Sequence, residues 1–330
     1  MRILIVKMSS MGDVVHAQPL ASDLRAALPS AQIVWVVERS FASICRLNPT
    51  VDEVLPIAWR RWRKRLFAAD THAEMADFHH LLTAQPFDLV LDCQGLIKSA
   101  LVARIAPARL RVGPAWAFAR EPLASLAYGR RAVVPRDWHV VRRNRAIGAA
   151  ACGYDIDTPP RFGLSVAPMH ASEAPWMPSG RHALLVTGAS RDEKLWPETH
   201  WVRTAVRLQQ AGLSLIWFWG SDTERVRAER LARLAAESAG DRATGQSVPP
   251  FLSVHDAARV IAGASVVVGL DTGFTHLAGA LGRPTIAIFC DFDAVQCAVS
   301  GDGYCASFGG VGQVPAADEV IGAIEQALTL

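Results

Sequence analysis

The residues able to do chemistry in this chain cluster where short apolar runs end. Asp271-Thr272-Gly273-Phe274-Thr275-His276 follows the apolar run 266–270, which reads as a buried strand. Beyond it, 277–281 reads as a short helix, closed by Gly282-Arg283-Pro284 and followed by a strand over 285–289. A strand that turns through Asp-Thr-Gly into a helix presents free backbone N–H groups and a positive dipole end to solvent. That suits a phosphate or diphosphate. The plainer alternative is that Asp271 or Thr272 caps the helix.

A second group lies in the first strand-to-helix turn, Lys7-Met8-Ser9-Ser10-Met11-Gly12-Asp13-Val14. It lacks G-x-G-x-x-G, which disfavours a dinucleotide-dependent dehydrogenase. Asp13 is placed either to act as a general base on a hydroxyl within ~3 Å or to cap the helix that begins near Val14. Trp59-Arg60-Arg61-Trp62-Arg63-Lys64-Arg65 sets five cations and two indoles in seven residues. Such forks bind phosphate and carboxylate oxygens, and indoles pack on lipid or sugar or stack on guanidinium groups. Five like charges on a bare helix face would repel unless something neutralises them.

In the second half, Arg191-Asp192-Glu193-Lys194-Leu195-Trp196-Pro197 follows a strand over 183–187, which puts Lys194 at a rim where its ammonium could neutralise a phosphate; taken alone it reads as an ordinary surface lysine. Glu224, after the run ending Trp217-Phe218-Trp219-Gly220, either accepts hydrogen bonds from a ribose diol or favours the start of its helix. Asp291-Phe292-Asp293 has the D-x-D form of a divalent-metal pair and reads as a loop. His72, His79 and His80 read as surface residues of a polar helix.

These groups need a scaffold, and the hydropathy pattern supplies one. Strands are expected at 3–6, 33–37, 54–57 and 89–92, with helices at 14–28, 41–47 and 71–84 between them. The alternation resumes with a strand at 183–187, a helix at 198–211, a strand at 213–220, a helix at 222–238 and a helix opening at Ser253-x-x-Asp256. Alternation of this kind implies parallel sheets covered by helices. Pro159-Pro160, Pro168, Pro175 and Pro178 mark a break, so the expected organisation is a first domain over 1–160, a linker over 161–181 and a second domain over 182–315.

At 330 residues, 51% hydrophobic and 20% charged, the chain has ample material for two cores. Six scattered cysteines without a C-x-x-C pair argue against a zinc or disulfide scaffold and for reduced thiols in the cytoplasm. The N-terminus is too short an apolar run for a signal peptide, and no stretch approaches the ~20 apolar residues of a membrane span. The net charge of +3 hides an asymmetry. Residues 1–165 hold 22 Lys+Arg against 14 Asp+Glu, a net of +8, and residues 166–330 hold 12 against 17, a net of −5. A basic first half suggests a polyanion or an anionic membrane face as partner.

Taken together, the stretches 7–14, 60–64, Asp92-Cys93-Gln94-Gly95-Leu96-Ile97-Lys98-Ser99, 119–126, 191–197 and 271–277 resemble the lipopolysaccharide heptosyltransferases of glycosyltransferase family 9. The resemblance is strongest to the branch that adds the first heptose. It implies an α/β GT-B fold, two Rossmann-like doubly wound domains facing a central cleft, with the helix near 318–328, in 316–330, crossing back to the first domain. It implies inverting transfer of L-glycero-D-manno-heptose from ADP-heptose to the first Kdo of Kdo2-lipid A, without cofactor or obligate metal. On this resemblance Asp13 is the catalytic base. Lys194, Glu224, Asp271, Thr272, Gly273, His276 and Thr187 bind the donor, and Arg60, Arg61, Arg63, Lys64 and Arg120 meet the acceptor. The implied setting is cytoplasmic, peripheral on the anionic inner-membrane surface, with no nucleic acid as partner. A second-heptose enzyme, a sugar-nucleotide epimerase of the same shape and a nucleic-acid-binding protein are the competing readings. One departure stands out: relatives tend to carry a Gly-x-Thr-Asp-Pro-like loop after the strand at 285–289, where this chain has Cys290-Asp291-Phe292-Asp293-Ala294.

Overall fold

β-branched runs and amphipathic segments alternate from the first residues onward, and they become strands and helices in the computed structural model, which describes residues 1–189, 191–240, 243 and 245–329. The chain divides into two units, Met1–Ser165 and Val166–Leu330. The first contains β1 (Arg2–Val6), α1 (Met11–His16), α2 (Gln18–Ala27), β2 (Gln32–Glu38), α3 (Ala42–Arg46), β3 (Glu53–Ile57), α4 (Trp59–Trp62), α5 (Ala69–Thr83), β4 (Phe87–Asp92), α6 (Ile97–Ile105), β5 (Ala108–Pro114), β6 (Arg130–Ala132) and α7 (Val140–Cys152). The second contains β7 (His182–Val186), α8 (Glu198–Gln210), β8 (Ser214–Phe218), α9 (Asp222–Ala239), β9 (Gln246–Ser247), α10 (Val254–Gly263), β10 (Val266–Leu270), α11 (Gly273–Ala280), β11 (Thr285–Phe289), α12 (Ala294–Cys297), β12 (Cys305–Gly309) and α13 (Ala317–Thr329).

Both sheets are six-stranded, in the orders β3-β2-β1-β4-β5-β6 and β12-β11-β10-β7-β8-β9. Every pairing within them is parallel. Numbered within its own unit, the second sheet repeats the first: three strands run outward one way, then three the other, which is the doubly wound topology. The central strands are buried on both faces, as helix-covered parallel strands must be. Ile3, Leu4, Ile5 and Val6 of β1 and Val266, Val267 and Val268 of β10 have no exposed surface.

Several elements depart from expectation. The helix expected over 14–28 is two helices, broken at Ala17, and Pro19 sits in the first turn of the second, where its missing N–H costs no bond. Helix α11 starts at Gly273, four residues before the predicted helix. No elements were predicted between residues 97 and 152. There β5 alternates its apolar residues with arginines, and α6 leaves Ile97, Leu101 and Ile105 in solvent, so apolar residues do not report the buried face.

The segment expected as a linker is largely tied down. The Phe162 side chain is buried, its carbonyl accepts from Asn48 Nδ2 at 3.2 Å, and Ser165 N donates to Leu47 O at 2.9 Å. On the other side of the boundary, Met169 N donates to Arg259 O at 3.1 Å. The last helix, expected to return to the first domain, is built into the second. Val320, Ile324 and Ala327 of α13 join the core that holds Trp196, Trp201 and Ile288, and Asp318 and Glu325 pair with Arg203 (2.6 Å) and Arg207 (2.7 Å) of α8.

In the first unit the end of α7 is held by a buried guanidinium. Arg145 is 3% exposed and bonds Asp23 on α2 (2.7 and 3.2 Å), the carbonyls of Ile156 and Thr158, and the Thr158 hydroxyl. Removing one partner of such a network leaves the Asp23 carboxylate uncompensated. Arg145→Met is therefore expected to lower unfolding stability by about 3–5 kcal/mol, read from the urea midpoint. A loss under about 1 kcal/mol would show that the network contributes little.

Candidate functional site

In each sheet the strand order reverses between two neighbouring strands, and their outgoing loops leave toward opposite faces. The crevice that opens at their carboxyl ends is where open α/β sheets bind ligands. In the first unit these neighbours are β1 and β4. The loop after β1 carries Lys7, Ser9 and Ser10 and leads to Asp13, and the loop after β4 carries Cys93 and Gln94. Lys7 is buried, donates through Nζ to Cys93 O at 3.0 Å and lies 3.3 Å from Asp13 Oδ1. Asp13 Oδ2 accepts from Ser10 N at 2.8 Å and from the Ser10 hydroxyl at 2.9 Å. Gln94 clamps the same loop: its Oε1 accepts from Met8 N at 2.8 Å and its Nε2 donates to Ser9 O at 2.9 Å. Lys98 Nζ reaches Ser9 Oγ at 3.0 Å.

Burial pushes the Asp13 carboxyl up, but the Lys7 ammonium and the Ser10 hydrogen bonds outweigh it, leaving Asp13 below its ordinary value. It is thus a carboxylate at neutral pH with its side chain about a third exposed (32%). The cap and base readings are compatible. Asp13 is the third residue of α1 and Ser10 its N-cap: one Asp13 oxygen reaches back to Ser10 as in a capping box, and the other lies beside Lys7. Behind this loop lies a support built on Asp92, the first residue of the 92–99 stretch, with Tyr128, which no sequence motif singled out. Fully buried Asp92 accepts from Tyr128 OH at 2.7 Å and from the N–H groups of Gln94 (2.9 Å) and Gly95 (3.1 Å). Lys7, Gln94 and Lys98 all lie in the motif stretches, but their partnership is a tertiary fact.

The basic segment divides its charges. Arg61 pairs with Glu74 and Arg65 with Asp70 (3.1 Å), both carboxylates on α5, so the repulsion in the cluster is relieved by a neighbouring helix. Arg60, Arg63, Lys64 and Arg120 are exposed and have no carboxylate at ion-pair distance among the described residues. The indoles are not ligand platforms. Trp62 is buried against Phe78 and donates to Glu74 at 2.9 Å, and Trp59 packs against the same core. His72, His79 and His80 are exposed on α5, as expected.

In the second unit the reversal falls between β7 and β10. Thr187 follows β7, Lys194 lies in the 3-10 turn Asp192–Lys194, and Asp271 and Thr272 follow β10. Asp271 does not cap α11. Its Oδ2 accepts from Lys194 Nζ at 2.6 Å and its Oδ1 lies 3.1 Å from His276 Nε2. Thr272 is the N-cap residue but makes no side-chain cap bond, so the N-terminal N–H groups of α11 are left uncapped by side chains. Burial raises the Asp271 carboxyl, but the bond and charge interaction with His276, then those with Lys194, overcome it and hold it at about 2. The ring of Phe292, from the atypical loop, lies 4.8 Å from Lys194 Nζ. Fully buried Thr187 has no hydrogen-bond partner for its hydroxyl among the described residues.

Glu224 Oε2 accepts from Gly220 N at 2.6 Å. Its carboxylate lies over Gly188, where an added Cβ would come within 2.4 Å of Glu224 Cδ, so a side chain at 188 would push that carboxylate aside. The two carboxylates of Asp291-Phe292-Asp293 are used locally. Asp291 faces Arg191 at 3.4 Å, and Asp293 caps α12 by accepting from Val295 N at 2.9 Å. Among the described residues no group of three or more His, Cys, Asp or Glu is placed to hold a metal ion.

Two doubly wound units, each with ionised side chains and backbone at its switch point, fit a glycosyltransferase of the GT-B class, and the comparisons with known proteins show that class. The glycosyltransferase family 9 (heptosyltransferase) model matches residues 75–307. The lipopolysaccharide heptosyltransferases 1 of Salmonella typhimurium and Escherichia coli K12 are each 40% identical over 290 residues, covering 88% of this chain and 88% of theirs. The solved E. coli heptosyltransferase WaaC with ADP superposes with a TM-score of 0.86 at 36% identity, over 99% of this chain and 100% of that one. The chain belongs to glycosyltransferase family 9.

The Asp271 clamp has a pH signature. A carboxyl held at about 2, against an ordinary 3.8, contributes stability that is complete above 3.8 and lost as pH falls through about 2. The urea midpoints of the wild type and Asp271→Asn should therefore differ most at neutral pH and converge toward pH 2. A gap that stays constant over that range would mean the clamp is not electrostatic.

Proposed function

We propose that this chain transfers L-glycero-D-manno-heptose from ADP-heptose to the first Kdo of Kdo2-lipid A, inverting the anomeric centre. The observation that carries this reading is the placement of Asp13 at the switch point of one sheet and of Lys194, clamped by Asp271, at the switch point of the other. Direct displacement needs a base for the acceptor and charge stabilisation for the departing diphosphate. Asp13 takes the Kdo hydroxyl proton as that oxygen bonds to the anomeric carbon, and the bond from that carbon to the ADP oxygen breaks. Held low by Lys7, Asp13 is ionised and ready, but it is a weak base that accepts the proton only as the new bond forms.

On the donor side, one Lys194 N–H goes to Asp271, leaving the others for phosphate oxygens. The uncapped N-terminus of α11 at Thr272 and Gly273 adds backbone donors, with His276 alongside. Glu224 accepts from the ribose and the Thr187 hydroxyl from the donor. Asp271 acts by positioning Lys194 and His276. Arg60, Arg63, Lys64 and Arg120 meet the acceptor's anionic groups, while Arg61 is already engaged by Glu74. The net charge of +8 in residues 1–165 supports a peripheral place at the anionic cytoplasmic face of the inner membrane, and no helix among the described residues is long and apolar enough to cross a membrane.

The deciding experiment is ADP release from ADP-heptose with and without Kdo2-lipid A, in EDTA. Release only with acceptor supports a metal-independent heptosyltransferase, and no release under either condition, even with added Mg²⁺, would sink the reading. Asp13→Ala should lower turnover by about 10²–10⁴-fold while ADP-heptose binding, followed by calorimetry, stays nearly intact. Near wild-type turnover would make Asp13 a cap alone. Lys194→Ala should weaken ADP binding about tenfold or more, and unchanged affinity would remove it from the phosphate site.

A further inference from the structure

Helix α6 wears its apolar residues on the outside. Ile97, Leu101 and Ile105 recur every four residues along one stripe, and Leu123 and Leu126 of the neighbouring 3-10 turn Pro122–Ala127 extend it; all five are between 40% and 67% exposed. Isolated exposed leucines are ordinary, but five large apolar side chains on two packed segments form a patch that calls for an occupant. The patch is not a frayed end. Ala100, Ala124 and Tyr128 lock the two segments together from beneath. Glu121 Oε2 accepts from Ile97 N at 2.6 Å, and the Arg111 guanidinium takes the carbonyls of Ala103 and Ala106 at the far end of α6 (2.8 and 2.6 Å).

Charge identifies the occupant. From Ile97 to Arg136 the chain has eight Lys or Arg and one carboxylate, Glu121, which is bonded to the backbone. Lys98, beside the apolar stripe, also feels the charges of Arg60 and Arg63, so the free cations of the basic segment border the same region. Exposed apolar side chains in a segment rich in cations and nearly free of carboxylates are the pattern of a surface that lies in the headgroup boundary of an anionic bilayer. We propose that α6 and the 3-10 turn Pro122–Ala127 form a rigid docking face for an anionic phospholipid surface, separate from the groups that bind the acceptor sugar. Lys98, next to Ile97 in the chain, bonds Ser9 Oγ at 3.0 Å, so the face is fastened to the loop that leads to Asp13 and brings that loop to the lipid surface. The inference deepens the reading of the chain as an enzyme acting on a lipid-linked acceptor and rests on it, but it is tested without that acceptor.

The test is co-sedimentation of the full chain with phosphatidylcholine vesicles, with or without an equimolar share of phosphatidylglycerol. The wild type should sediment with the anionic vesicles, be released by high salt and ignore the neutral ones. Leu101→Gln/Leu123→Gln/Leu126→Gln, which changes only exposed side chains and no charge, should weaken vesicle binding at least about tenfold with an unchanged melting temperature. The same variant should retain turnover on an acceptor stripped of its acyl chains and lose it on acceptor embedded in vesicles. The proposal is overturned if the wild type ignores anionic vesicles or if the triple variant binds them as tightly. It is also overturned if the substitutions instead convert a dimer to a monomer, which would give the face to a second copy. Failure of the transferase reading is seen separately, as absence of turnover on every acceptor while vesicle binding persists.

Discussion

The constraint on which everything else depends is the reversal of strand order within each parallel sheet. A parallel strand must be reached by a crossover, and crossovers of one hand can extend a sheet in only one direction from a given starting strand. When the chain returns to the other side of β1 or of β7, the loops on either side of the reversal part, and backbone polar groups at the strand ends lose the neighbours that would otherwise satisfy them. Side chains and ligands fill that gap. This is why Lys7 meets Cys93 and Met8 meets Gln94 in one unit, and Lys194 meets Asp271 in the other, although 86 or 77 residues separate the partners in sequence.

Both sites treat charge alike. At each switch point a carboxylate and an ammonium share a partly buried pocket, and hydrogen bonds take up the remaining oxygens: Ser10 for Asp13, and His276 for Asp271. In each, desolvation pushes the acid's pKa up, and the neighbouring cation and hydrogen bonds outweigh it and bring it below the ordinary value. The exposures differ. Asp271 is 13% exposed and serves as an internal counter-ion, whereas Asp13 keeps a third of its side chain open, as the role proposed for it as base requires.

The basic first half shows how a charge excess can be sorted by packing. Arg61 and Arg65 are neutralised by α5, and Arg145 and Arg111 are structural, holding α7 and α6. Among the exposed cations left without a carboxylate at ion-pair distance among the described residues are Arg60, Arg63, Lys64 and Arg120. Composition reports the excess, and only the packing says which charges are free.

Local pattern determined much of this protein. The strands β1, β2, β3, β4, β10 and β11 and the helices α8, α9 and α10 lie close to where hydrophobic periodicity and capping residues put them, because each has one buried face or is buried throughout. Periodicity failed between residues 97 and 152, because α6 turns apolar residues to solvent and β5 interleaves arginines. Asp13, Lys194 and the Asp271–His276 turn were legible as chemistry because their positions follow strand ends. What each side chain touches was not legible. That Asp271 clamps Lys194 and does not cap α11, that Trp62 is core and not a sugar platform, and that α13 joins the second unit all depend on which elements tertiary packing makes neighbours. Hydrophobic pattern is a property of a few adjacent residues, so the chain alone carries it, whereas an ion pair or a shared core needs two distant segments within a few ångströms, which only the folded topology supplies.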